Sequence, residues 1–133
     1  MILNATSLYA ALLAGLLLYL SLNVIKQRKS ARISVGDGGD DALLRAIRVQ
    51  GNFVEYTPIA LILVGLIEFN GFPAWVVHGL GVALVLGRGL HAMGLPLGDK
   101  DMRFRIFGMQ LTFAVIALGA AINLGGVVWG FVR

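Results

Sequence analysis

The stretch RVQGNFVEYTP, residues 48–58, gathers a guanidinium at Arg48, carboxamides at Gln50 and Asn52, a carboxylate at Glu55 and a phenol at Tyr56 within a chain that is otherwise mostly apolar. At about 100° per helical residue, Arg45, Arg48, Asn52, Glu55 and Tyr56 fall within an arc of about 100°. They form one polar stripe, and the intervening Leu44, Ile47, Val49, Phe53 and Val54 are apolar. Gln50 lies about 120° outside it. An ionised carboxylate in a membrane costs several kcal/mol unless it is paired, so Glu55 is expected to face a bundle interior or a wet cavity. Arg48 shares its face but sits about 10 Å back along the axis, too far for a direct bond in most rotamers. The countercharge must come from another helix, another subunit or a ligand. Pro58 cannot donate to the carbonyl of Val54, which frees an acceptor beside Glu55. A purely structural polar network is the plain alternative, but five polar groups on one face point to a site.

Further candidates sit elsewhere. MRFRIFGMQLT, residues 102–112, carries Arg103 and Arg105, and GRGLHAMGL, residues 87–95, carries Arg88 and His91 about 60° apart on a helix. His78 stands alone among apolar residues, where a helix-to-helix hydrogen bond is the expected role. There is no cysteine, so no disulfide, protein thiol nucleophile or thiolate metal site exists. DGGDD, residues 37–41, lacks the alternating ligand spacing of a calcium loop. It reads as a turn with Asp40 or Asp41 as the cap of the next helix, and no metal site is expected.

The elements that must position these groups follow from composition. Of 133 residues, 58% are hydrophobic and only 14% charged, with a mean hydropathy of +0.84, which excludes a soluble domain. Residues 1–25, 69–87 and 106–132 contain no charged side chain, and residues 48–68 enclose only Glu55. At about 20 residues per span, these are four membrane helices in one domain, all-α, expected over 4–27, 42–67, 74–95 and 103–131. The first is a retained span because its positive cluster follows the apolar run. Between Glu55 and Glu68 the apolar run is only about 18 Å long, short of a ~30 Å hydrocarbon core, so part of the polar stripe must enter the membrane. Glycines such as Gly79, Gly81, Gly87, Gly89 and Gly119 suit close helix packing. The pI near 10 comes without any soluble basic domain, so no nucleic-acid partner is expected. Positive charge clusters instead at both ends of residues 28–48 and 88–105. The positive-inside rule places those two connections in the cytoplasm and both termini outside, in a membrane that is expected to be a bacterial inner membrane.

The order and spacing of Arg, Gln, Asn, Glu, Tyr and Pro in RVQGNFVEYTP resemble the helix-two signature of the MAPEG superfamily, membrane-associated proteins in eicosanoid and glutathione metabolism. The likeness is greatest to the leukotriene C4 synthase and five-lipoxygenase-activating protein branch, and it extends to chain length, four-helix layout and basic loops. It implies a homotrimer that binds glutathione as co-substrate between neighbouring subunits. It further implies glutathione contacts at Arg48, Asn52, Glu55, Tyr56 and Gln50, with Arg45 on the same stripe. His91 stands where relatives carry a tyrosine or histidine that contacts glutathione, with Arg88 beside it. Arg28 resembles the arginine that reaches a glutathione carboxylate of the adjoining site, and a lipid headgroup contact is its other reading. The family's catalytic arginine corresponds to Arg103 or Arg105, with Arg105 preferred because it begins the uncharged span. The next family aromatic would fall at Leu95 and is absent.

The chemistry is consistent with that resemblance. Arginine forks suit the carboxylates of glutathione, Glu55 suits its ammonium, and a guanidinium near its thiol favours the thiolate that attacks an electrophile. The expected function is therefore a glutathione-dependent membrane transferase or peroxidase acting on hydrophobic electrophiles or lipid hydroperoxides. A non-enzymatic lipid-binding or scaffold protein of the same fold is the alternative. A proton-coupled exporter is disfavoured because Glu55 lies near one end of its span among cations.

Overall fold

A computed structural model describes residues 3–94 and 102–132, the last two by backbone alone. It contains four α-helices: α1 (Asn4–Ala31), α2 (Asp41–Phe69), α3 (Ala74–Met93) and α4 (Arg103–Val132). Each is long and apolar enough to cross a membrane. α1 runs four residues further than its apolar stretch suggests, so the basic run begins inside the helix. It ends where Arg32 adopts a left-handed conformation (φ 56°) and donates its N–H to Arg28 O.

The connection to α2 uses its glycines for geometry that other residues resist: Gly36, Gly38 and Gly39 have φ of 70°, 56° and 80°. Asp37 Oδ1 accepts the N–H of Gly39 at 3.0 Å, and Asp40 Oδ1 accepts that of Leu43 at 2.8 Å as the N-cap of α2. Both aspartates therefore have turn and cap duties. α2 continues through Pro58 without a break.

The helices α2 and α3 occupy the middle, with α1 against one side of the pair and α4 against the other. α2 turns Val49, Phe53, Thr57, Ala60 and Val64 inward at the i, i+4, i+8 spacing of a buried face. These meet Leu13 and Leu20 of α1, Leu84 of α3 and Val115 of α4 in one core. Small residues set how closely the helices approach. Gly81 leaves the space that the Tyr9 ring fills, and Tyr9 Oη is hydrogen-bonded to His78 Nδ1 at 2.8 Å, so His78 serves as a helix-to-helix tie. At the α3–α4 crossing a Cβ on Gly108 would lie 2.5 Å from Gly87 O and 2.7 Å from His91 N, so the two backbones touch there.

At the end away from the basic residues, Glu68 of α2 caps α1. Its Oε1 accepts the N–H of Ala5 at 2.9 Å and its Oε2 that of Thr6 at 2.7 Å. This satisfies two first-turn donors that have no partner within their own helix. Glu68→Ala is expected to destabilise the detergent-solubilised protein by about 1–2 kcal/mol. Amide exchange should accelerate in the first turns of α1 and stay unchanged in α3 and α4; uniform acceleration would show that the contact does not cap α1.

Candidate functional site

The inward face of α2 is filled by apolar side chains, and this fixes where its polar stripe can go. Arg48 and Glu55 lie exposed on the outer face of the protomer, in line with Leu44, Ile59 and Ile62; Arg45, Asn52 and Tyr56 are half-buried along its edge. Of the two expected settings for Glu55, the bundle interior or a wet cavity, the interior of the protomer is not the one it takes. Val49 and Phe53, at 2% and 4% exposure, hold the inward positions, and Glu55 has no hydrogen-bond or ion-pair partner among the described residues.

α4 brings a third cation to this face. A cleft of about 250 Å³ opens between the N-terminal turns of α2 and α4, lined by Asp41, Leu44, Arg45, Arg48 and Arg105. Arg105 reaches it because its stem lies over the C-cap of α3: a Cβ on Gly94 would collide with Arg105 Cγ. Arg103 points elsewhere and lines a separate recess with Phe104 and Phe107. Three guanidinium groups around one aspartate leave an excess of positive charge, which is the electrostatic condition for binding an anion. Glu55, two turns further along the same outer face, offers the opposite charge.

Behind this face the other candidates form a scaffold. Arg88, only 1% exposed, donates from Nη2 to Asn52 Oδ1 at 2.7 Å and from Nη1 to Met109 Sδ at 3.8 Å. Its guanidinium carbon stands 5.9 Å from the centre of the Phe53 ring, a cation–π distance. One side chain of α3 thus joins α2 to α4. The Tyr56 ring meets Phe113 edge to face at 5.3 Å, a second α2–α4 tie. His91 is 4% exposed, and its backbone forms part of the contact with Gly108. Arg88 Nε, His91 Nδ1 and Arg105 Nε are all buried without a hydrogen-bond partner. These three atoms lack a partner among the described residues only, and they lie along the seam between α3 and α4.

The remaining candidates stand apart from the cleft. Gln50 Nε2 donates to Ser21 Oγ at 2.9 Å, which ties α2 to α1, in keeping with its position outside the stripe. Arg28 Nη1 donates to Ser34 O at 3.3 Å and Gly36 O at 2.8 Å, which clamps the α1–α2 connection. Leu95 lies outside the described residues.

Two contributors escaped the sequence reading. Gly94, beneath the stem of Arg105, fell inside the helix expected over 74–95 and carried no signal of this role. Asp41 was read as a possible cap and instead lines the cleft.

The Arg88–Asn52 bond is testable by a double-mutant cycle on unfolding in detergent. Asn52→Ala and Arg88→Met are expected to couple by about 1–3 kcal/mol. Strict additivity would mean that the two side chains do not interact.

A sequence model of the MAPEG family matches residues 6–125. Two curated relatives cover nearly the same span: inner membrane protein YecN of Escherichia coli strain K12 and its counterpart in Escherichia coli O6:H1 strain CFT073. Each is 39% identical over 127 residues, 96% of this chain and 95% of the relative.

Proposed function

This chain belongs to the MAPEG family, a family that includes glutathione-dependent enzymes, and on that premise we propose that it is a glutathione-dependent transferase or peroxidase of the membrane. The observation that carries the reading is the pairing of an arginine cleft with Glu55, which has no partner among the described residues, on one outer face of α2. Glutathione has the complementary charges. Its carboxylates suit the forks of Arg45 and Arg48, its ammonium suits Glu55, and its thiol, when placed beside Arg105, gains a cation that favours the thiolate.

In this reading Arg105, ahead of Arg103, is the catalytic arginine, since it is the one that shares the cleft with Arg48. The thiolate displaces a leaving group such as chloride from a hydrophobic electrophile that arrives through the bilayer. On a lipid hydroperoxide it attacks the outer oxygen, the O–O bond breaks and the lipid alkoxide takes up a proton. A second glutathione then converts the resulting sulfenic acid to glutathione disulfide and water. Arg88 steadies Asn52. Asn52 and Tyr56, half-buried along the edge of the outer face of α2, lie between the cleft and the far side of that face, where the ligand reaches toward Glu55. His91 lies one turn from Arg88 at the seam that positions Arg105. Gln50 and Arg28, turned toward α1 and its connection, touch glutathione only if the ligand spans two copies.

Assembly belongs to the same reading. A charged outer face on a membrane helix requires cover, and a homotrimer in which each copy shields the α2 face of its neighbour supplies it. The protomer acts as one four-helix domain. By likeness to the inner membrane proteins of Escherichia coli it resides in a bacterial inner membrane, with the basic ends of α1 and α2 in the cytoplasm.

Purified protein should gain thermal stability with glutathione, as mass action requires of a ligand that binds only the folded state. It should conjugate a generic electrophile such as chlorodinitrobenzene. Arg105→Ala should lower kcat by about a hundredfold, the scale of losing one stabilising group at a developing charge, while Arg103→Ala stays near wild type. Glu55→Gln should weaken glutathione binding by about tenfold, as expected for one charged hydrogen bond. Absence of both binding and turnover in the wild type would remove this reading in favour of a lipid-binding scaffold.

A further inference from the structure

A second and larger groove, of about 620 Å³, lies on a different side of the protomer, between α1 and α3, where the N-terminal turn of α2 closes its base. α1 contributes Leu16, Tyr19, Asn23 and Gln27 from one helical face, and α2 contributes Arg45. On the α3 side Gly89 keeps the slot open: a Cβ added there would meet nothing within 4 Å.

The groove is graded along the membrane normal. From Gln27 to Leu16 it covers about 16 Å of helix, with carboxamides and a guanidinium at the basic end and apolar walls deeper in. None of its described lining residues is acidic. Lys26 lies within about 20° of Tyr19 on α1 and is exposed, so a second cation stands at the rim. Arg28 is not available to the groove, since its guanidinium is spent on the carbonyls of the α1–α2 connection. An open slot between membrane helices, cationic at the headgroup level and apolar below, selects an amphiphile with a negative head and a hydrocarbon tail. Glutathione, which has no tail, leaves the deeper part of the slot unfilled.

We propose that this groove seats one anionic phospholipid from the leaflet at the basic end of the protein. Its phosphate accepts from Arg45, with the carboxamide N–H groups of Asn23 and Gln27 as further donors. One acyl chain descends past Leu16 over Gly89. The site needs no glutathione chemistry and stands whether or not the enzyme reading holds. Arg45 lines both this groove and the arginine cleft, so with a lipid phosphate on Arg45 the glutathione carboxylate falls to Arg48.

Native mass spectrometry of the intact protein in mild detergent tests it, with phosphatidylglycerol and phosphatidylcholine of identical acyl chains as probes. Phosphatidylglycerol adducts should outnumber phosphatidylcholine adducts by about fivefold, the effect of one basic side chain on a headgroup whose net negative charge is not cancelled by a choline cation. Gly89→Leu fills the slot with a better helix former and should abolish that preference while helicity and Tm are retained. If Gly89→Leu does not fold, Ala92→Leu on the same wall serves in its place. Equal retention of the two lipids, or an undiminished preference in a folded slot-filling variant, would overturn the proposal. So would equal binding of soluble glycerol phosphate, which lacks the chain. Efficient disulfide linkage of two copies through Tyr19→Cys would also overturn it, by showing a second copy in the groove.

Discussion

An ionised side chain cannot rest against hydrocarbon, and α2 places two of them on its outer face. Glu68 marks one end of the bundle by capping α1, and Glu55 lies 13 residues away, about 20 Å along the axis. With a hydrocarbon core of ~30 Å, that sets Glu55 roughly 10 Å inside the opposite boundary. Rotation of α2 to bury it would expose Val49, Phe53, Ala60 and Val64, each 4% exposed or less in the core. A rotated α2 would lose the packing of these side chains against Leu13, Leu20, Leu84 and Val115, and close packing is what holds helices together where lipid is as apolar as the core. The protomer thus cannot solve the problem internally, and cover must come from outside it.

The same constraint explains the economy of the interior. The seam between α3 and α4 is closed by Gly87 and Gly108, whose contact brings the backbone of α4 onto His91. Close approach lets Arg88 span from Asn52 to Met109 within a core that is mostly apolar. Its charge is fully enclosed without an acidic partner among its described contacts. Breaking such a bond strands the guanidinium, so Asn52 is coupled to the placement of α3, and α3 in turn carries Gly94, the seat of Arg105. The outer cleft is set up by this inner chain of contacts.

Much of this was legible in the residues themselves. The apolar runs located four helices, and the 100° rotation per residue put Arg48 and Glu55 on one face and Gln50 off it. Asp40 was recognisable as a cap, and His78 as a tie between helices. Helix ends were less legible: α1 outruns its apolar stretch because lysine and arginine continue a helix as readily as leucine does. Orientation was harder still. Arg88 carries the same charge as the headgroup-level arginines, yet it is the most deeply enclosed of them, because α3 is lined with small residues on several sides and periodicity cannot say which side meets α2. Glu55 was expected in the bundle interior or a wet cavity, and the residues alone could not choose between them because one chain says nothing of how a face left outside is covered. Gly94 shows a related limit, since a glycine that seats a distant side chain looks like any other glycine within a span.

The central claim is that another copy of the chain covers the polar face of α2. The absence of native cysteine allows a single nitroxide to be attached at Ile59→Cys, one turn from Glu55 on that face. In reconstituted bilayers the label should be shielded from dissolved oxygen and should show dipolar coupling to labels on neighbouring copies. An oxygen-accessible label without intermolecular coupling would contradict the account, because the face that carries Glu55 would then lie open to lipid.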